Sequence, residues 1–265
     1  MLALSRRQGQ VRPVFLLEKW YGDVVTTQGE GAILYAARLR WGPLRVAYGA
    51  TLVFDTDATR SESSIRRVAM PRIDANASTW RNETLGVDAT WCRDAAPIDT
   101  RLVDEPVGSI QWTCHMPRAL ACVRVGAVTL HGVGYVEQLR MTIPPAAWPF
   151  RGGVLRWGRY GSPAHTLVWI EWTGLSQRRW VWLDGAPQVG LDCLDGERRL
   201  VLQDTRPIRD QPLLTTIRVP LPKLARRLAG TLDAVREHKC LSRATLVNGA
   251  GQVDAGWAIH EEVQW

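Results

Sequence analysis

The chain has 265 residues, 46% of them hydrophobic and 22% charged, a balance that supports a sizeable core and excludes a disordered chain. Its formal charge is +7, yet the arginines are scattered, with no basic run beyond pairs such as Arg66-Arg67, Arg178-Arg179 and Arg226-Arg227; a phosphate-tracking surface needs a patch or a stripe, so no nucleic-acid partner is expected. The anomaly is aromatic: 13 Trp against 3 Phe and 5 Tyr, a residue whose size and N–H favour strand faces, pocket walls and interfaces.

From the N-terminus, MLALSRRQGQVRP is too short in its apolar part for a secretory signal. No window approaches the roughly 18 apolar residues of a membrane span, so a cytoplasmic protein without an integral membrane segment is expected. The dominant period is then two. EKWYGDVVTT, GAILYAARLRW and GPLRVAYGATLVF read as three strands joined by turns at Gly29-Glu30-Gly31 and Gly42-Pro43. SSIRRVAMP, ETLGVDATWC, GSIQWTC and ALACVRV follow as shorter strands, and 128–141 is the longest of this half. IPPAAWPFRGG, with three prolines and two glycines, can carry neither strand nor helix; it divides the chain into domains at 1–143 and 153–265. Beyond it, VLRWGRY, HTLVWIEWTG, RRWVWLDGAP, RRLVLQDT, TTIRVPL and AGWAIHEEVQW read as strands. The one helical candidate is LPKLARRLAGTLDAVREH, weakened by Gly230. Two all-β halves of short antiparallel strands imply barrels or strongly curved sheets.

The chemistry-bearing residues are few. Five cysteines, at 92, 114, 122, 193 and 240, form no CxxC pair and read as buried free thiols. Five histidines lack ligand spacing, so no metal is expected. No G-x-S-x-G elbow, P-loop or dinucleotide fingerprint is present. What stands out is LHGVGYVEQLRM, where Tyr135, Glu137, Leu139 and Met141 fall on one strand face. Such a carboxylate is either wetted on the outer side of a half-exposed sheet or enclosed, with a raised pKa that suits a general acid. Trp112 is core packing or an aromatic wall able to stabilise a cation; His115 reads as a turn histidine before Pro117. Arg156, Trp157 and Arg159 with Trp169, Glu171 and Trp172 are either cross-strand pairs or the rim of a ligand entrance between the halves.

GVGYVEQL resembles the glycine–tyrosine–acid motif of the lipocalin-like proteins related to carotenoid 1,2-hydratase (hydroxyneurosporene synthase) and to the AttH group. KWYGDVVTTQGEGAILYAARLRW resembles the opening strands of small bacterial members. The resemblance implies an all-β fold of two tandem lipocalin-like antiparallel β-barrel domains with a pocket in or between them. It also implies an apolar polyene or terpenoid substrate and no organic cofactor. It places the aromatic–acid pair on Tyr135 and Glu137, with Glu where the hydratases carry Asp. Trp112 matches the family's tryptophan, but the histidine two residues before it is Ile110 here, which counts against hydration. Glu137 is then the clear proton donor, and a cyclase or isomerase that mainly shapes its substrate needs little more. Tyr135 would support the acid, while Trp112, Trp157, Trp169, Glu171 and Arg156 would hold substrate. The alternative is a lipocalin-like carrier of a lipid or pigment. A homodimer is compatible with the tryptophan-rich strands without being required by them.

Overall fold

The computed structural model describes residues 15–212, 235–251 and 253–265. Over these the chain is all β, with two antiparallel sheets and two short 3-10 turns, Glu83–Leu85 and Pro145–Ala147. No helix among the described residues is long and apolar enough to cross a membrane. The first sheet holds β1 (Phe15–Val25), β2 (Gly31–Trp41), β3 (Leu44–Phe54), β4 (Thr59–Ser64), β5 (Arg72–Ile73), β6 (Ala77–Asn82), β7 (Val87–Arg93), β8 (Ile98–Glu105), β9 (Gly108–Val125) and β10 (Val128–Met141). Its order is β4-β3-β2-β1-β10-β9-β7-β6-β5, with β8 on the first half of β9. The second holds β11 (Val154–Gly161), β12 (Thr166–Trp172), β13 (Arg178–Leu183), β14 (Ala186–Gln188), β15 (Arg199–Pro212), β16 (Arg236–Val247) and β17 (Val253–Gln264), in the order β14-β13-β12-β11-β17-β16-β15.

Because strand side chains alternate, each sheet has two apolar faces and the molecule has three apolar layers. Trp20, Val24, Leu34, Trp80, Trp91 and Val136 fill the first sheet's own interior, and Tyr160, Leu167, Trp169, Val181 and Leu246 fill that of the second. The third layer lies between the sheets. There Tyr21, Tyr35, Trp112, Tyr135 and Met141 of the first sheet meet Trp157, Ile170, Trp182, Leu241 and Ile259 of the second.

Several elements differ from expectation. GSIQWTC and ALACVRV are one strand, β9, not two. Between Cys114 and Ala119, β9 carries two more residues than β10 does between Glu137 and Gly134. This bulge takes up Pro117, which has no N–H for a ladder. Along β9 the buried residues pass from even numbers in the layer between the sheets (Ile110, Trp112, Cys114) to odd numbers in the first sheet's own interior (Ala119, Ala121, Val123). His115 therefore sits within a strand rather than in a turn. β6 and β8 were not expected, since ASTWRN and IDTRLVDE offer little apolar alternation. The strand expected over 63–71 is realised only at Ser63 and Ser64, the end of β4. The helix expected over 221–238 and the strand TTIRVPL fall mostly or wholly outside the described residues; Arg236, Glu237 and His238 open β16 instead. All five cysteines are free, but only Cys114 and Cys240 are buried; Cys92 and Cys122 are exposed on the outer faces of β7 and β9, and Cys193 is exposed in the connection between β14 and β15.

The two glycines before Tyr135 answer to close approach. A Cβ on Gly132 would lie 2.1 Å from the Val25 carbonyl oxygen, and one on Gly134 would lie 2.6 Å from both Ala121 Cβ and Trp91 Cδ1. They let β10 press between β1 and β9 without displacing Trp91. Gly134→Ala is expected to destabilise the fold by about 1–3 kcal/mol through overpacking. Urea unfolding checks this, and an unchanged midpoint would show that Trp91 can yield.

Candidate functional site

β1 and β10 pair in regular register, with Tyr21 opposite Glu137 and Asp23 opposite Tyr135. Odd-numbered residues of both strands point at the second sheet. Glu137 thus lies neither on a wet face nor in a barrel interior. It lies between the sheets, where it is 8% exposed.

Three donors converge on its Oε2: Trp112 Nε1 at 2.6 Å, Tyr135 OH at 2.7 Å and Trp157 Nε1 at 3.1 Å. Trp112 comes from β9 and Trp157 from β11, so both sheets build the cluster. Trp182 of β13 stacks on Trp112 with centroids 4.8 Å apart, and Tyr21 lies 4.9 Å from Trp157. Burial pushes the Glu137 carboxyl above its ordinary value, while the three donors and Lys19 pull against that rise. An oxygen already accepting three hydrogen bonds has no lone pair left for a proton, so the protonated form carries it on Oε1. The site therefore combines a carboxyl whose pKa burial raises with fixed dipoles that stabilise its conjugate base. Trp112→Phe is expected to raise the Glu137 pKa further, because it removes a donor that favours the carboxylate. A carboxyl-resolved NMR titration checks this; no change would mean that the indole N–H does not bear on the charge of Glu137.

Two buried ionic groups flank the acid. Asp23, fully buried, receives Arg159 Nε at 3.0 Å, Arg159 Nη2 and Tyr21 OH at 2.9 Å. Burial pushes the Asp23 carboxyl up, and Arg159 and Tyr21 pull it back. On the second sheet, Lys239 is fully buried beside Glu261 and 3.4 Å from Glu237, its Nζ 5.6 Å from the Trp157 ring and 5.8 Å from that of Tyr21. Desolvation brings the Lys239 ammonium down to about 8 and His260, behind it, down to about 4.

Of the residues singled out in the sequence, the structure brings together Tyr135, Glu137, Trp112 and Trp157. Arg156, Trp169 and Glu171 lie on the opposite face of the second sheet, since their parity on β11 and β12 is opposite to that of Trp157 and Ile170. Arg156 pairs with Glu262 at 2.9 Å and Glu171 with Arg179 at 2.8 Å, while Trp169 packs over Gly158 within the second sheet's interior. His115 also turns away, 3.2 Å from Gln138. Asp23, Glu237, Lys239 and Arg209 join the site without a motif to mark them in the sequence. Their signal is charge at alternate positions among apolar neighbours: Asp23 shares the parity of Tyr21, and Glu237 and Lys239 that of Leu241.

No family model and no curated protein matches this sequence. Among solved structures it is similar to an AttH-type protein from Nitrosomonas europaea, 10% identical, with a TM-score of 0.53 over 98% of this chain and 97% of that one. CghA with Sch210972 is 13% identical, with a TM-score of 0.50 over 94% of this chain and 88% of that one. Kievitone hydratase from Nectria haematococca overlaps at 0.48, with 11% identity over 95% and 90%. The chain has the lipocalin-like fold of the first of these, the AttH-type protein. Identities this low speak for the fold and leave the chemistry to the residues.

Proposed function

We propose that the chain is a cofactor-independent enzyme in which Glu137 protonates a C=C bond of an apolar polyene or terpenoid, leading to cyclisation, isomerisation or hydration. The observation that carries this reading is the enclosed Glu137 carboxyl with three donors on one oxygen. Perturbed acids in apolar surroundings cluster at active sites, and here each part has a chemical use. Oε1 delivers the proton. The resulting carboxylate is stabilised by Trp112, Tyr135 and Trp157 with no reorganisation at the moment of transfer. The carbocation left on the substrate faces the π surfaces of Trp112, Trp182 and Tyr21. It then loses a proton back to the carboxylate, closes on a second double bond, or takes up water. Ile110 stands where the hydratases carry histidine, so water has no base at that position, which favours the first two outcomes.

Two polar clefts of about 480 and 410 Å³ open elsewhere on the described surface, and neither is lined by Glu137. Rings fill the space beside the acid, so a substrate must part the Trp112–Trp182 stack, entering past Leu139, Leu17 and Leu39, which are partly exposed on the same face. That CghA with Sch210972 has this fold supports a small-molecule site within it.

The deciding experiment is turnover of a polyene and terpenoid panel in deuterium oxide. Acid initiation predicts deuterium at the protonated carbon, absent with Glu137→Gln. Product without solvent deuterium would remove the acid role, and binding without any product would leave a carrier.

A further inference from the structure

The layer around Glu137 contains a guanidinium that the described residues leave half used. Arg209 is 7% exposed, and its Nη1 lies 3.5 Å from Glu237 Oε2. Among the described residues, its Nε and Nη2 have no hydrogen-bond partner. These two nitrogens form the edge of the guanidinium that grips a carboxylate with two parallel bonds. Arg159, a few strands away, shows the same edge in use, with Nε and Nη2 both on Asp23. An unmet buried donor costs a folded protein free energy, and an unmet pair on a cation costs more.

The surroundings of Arg209 share the property. Its Cζ lies 5.6 Å from the centroid of the Tyr35 ring, and Lys19 Nζ lies 5.3 Å from the same centroid. The Tyr35 hydroxyl is itself buried and, among the described residues, without a hydrogen-bond partner. Charge leans the same way: among the described residues of this layer, Arg209, Lys239, Lys19 and Arg159 face Glu237, Glu261 and Asp23 once Glu137 holds its proton. Register places this group. Tyr35 is opposite Tyr21, and Tyr21 is opposite Glu137, so two strand spacings, roughly 10 Å, separate Tyr35 from the acid.

We infer that Arg209 and Tyr35, with Lys19 nearby, bind an anionic oxygen group, a carboxylate or enolate, at one end of an otherwise apolar ligand whose body reaches Glu137. This rests on the reading above only in that both share one site. It narrows the substrate from a plain hydrocarbon to an amphipathic organic acid, held in one direction by a bidentate contact. The chemistry does not require Glu137 to act as an acid, so the two ideas can fail separately.

The test compares farnesoic acid with methyl farnesoate, a pair differing in charge at one end, by tryptophan fluorescence titration of the full chain. Wild type is expected to bind the acid at least tenfold more tightly than the ester. Arg209→Gln should erase that preference while ester affinity holds, and Glu137→Gln should retain it. Because Arg209→Gln leaves the buried Glu237 to Lys239 alone and can impair folding, Tyr35→Phe is the second variant. It removes an unpartnered hydroxyl, so its melting temperature should stay level or rise while affinity for the acid falls several-fold. Equal affinity of wild type for acid and ester, no binding of the acid, or an acid preference that survives both Arg209→Gln and Tyr35→Phe would overturn the proposal. The last two would mean that water alone meets these donors.

Discussion

Glu137→Gln is expected to lower turnover by about 10²–10⁴-fold, the range that general acids contribute, while ligand affinity changes little. Gln keeps the shape and can still accept from Trp112, Tyr135 and Trp157, but it has no proton of comparable acidity to give. The split between kcat and KM is therefore the informative readout. A fall in kcat alone marks a group acting in the transition state; a rise in KM alone marks uniform binding and would support a carrier. Wild-type kcat should fall as pH rises through the Glu137 pKa, because only the protonated form is competent.

The same group gives a stability prediction with a definite sign. Its folded pKa lies above the ordinary 4.5, so the folded state holds the proton more tightly than the unfolded one. Between the two values, stability falls as pH rises, and above the folded value the loss is complete at about 1.4 kcal/mol per unit of elevation. Glu137→Gln has no such loss. Its stability relative to wild type should grow from acid pH upward and then level off at the folded pKa. Chemical unfolding across that window reads it. A difference running the other way would mean that the three donors outweigh burial and that the carboxylate is the resting form.

Much of this site was legible in the chain, and what was not has physical causes. Strands β2 and β10 can be read to the residue because apolar alternation and turn glycines bound them. The shared face of Tyr135, Glu137, Leu139 and Met141 follows from a period of two alone. What period cannot supply is the layer that a face meets. The period allows Glu137 an outer place or a barrel-interior one, whereas it sits between two sheets, an arrangement set by contacts far apart in sequence. The same gap explains Trp157, Trp169 and Glu171. They are near in sequence, yet strand parity sends Trp157 to the inter-sheet layer and the other two away. Arg209 and Lys239 are hidden in the sequence because β16 overlaps a segment with helical leucine spacing, and because β15 continues through Pro207 by a bulge. The bulge in β9 similarly hides one strand behind two apparent ones.

The largest stability effect should come from the Asp23–Arg159 pair, and the two halves of the pair should not cost the same. Asp23 is 0% and Arg159 1% exposed, so removing either partner leaves the other desolvated, typically at about 3–5 kcal/mol. Asp23→Ala leaves a guanidinium that cannot deprotonate in a protein and also strips Tyr21 of its acceptor. Arg159→Met leaves a carboxyl that can take a proton and become neutral. Asp23→Ala should therefore be the costlier, lowering the melting temperature by roughly 10 °C in a chain of this size, and Arg159→Met should recover part of its loss as pH falls. The double replacement Asp23→Leu/Arg159→Met should be much less destabilised than the sum of its parts, since no lone charge remains. Equal costs for the two single variants at every pH would contradict this account. Arg159 stands two residues from Trp157 on the same face of β11, so the pair also fixes how the second sheet reaches Glu137. A double variant that regains stability should still show a higher Glu137 pKa than wild type, because Trp157 is then held by packing alone and its 3.1 Å bond to the carboxylate is the weakest of the three. That separation, stability restored and titration shifted, would distinguish a pair that only joins two sheets from one that also positions a donor on the acid.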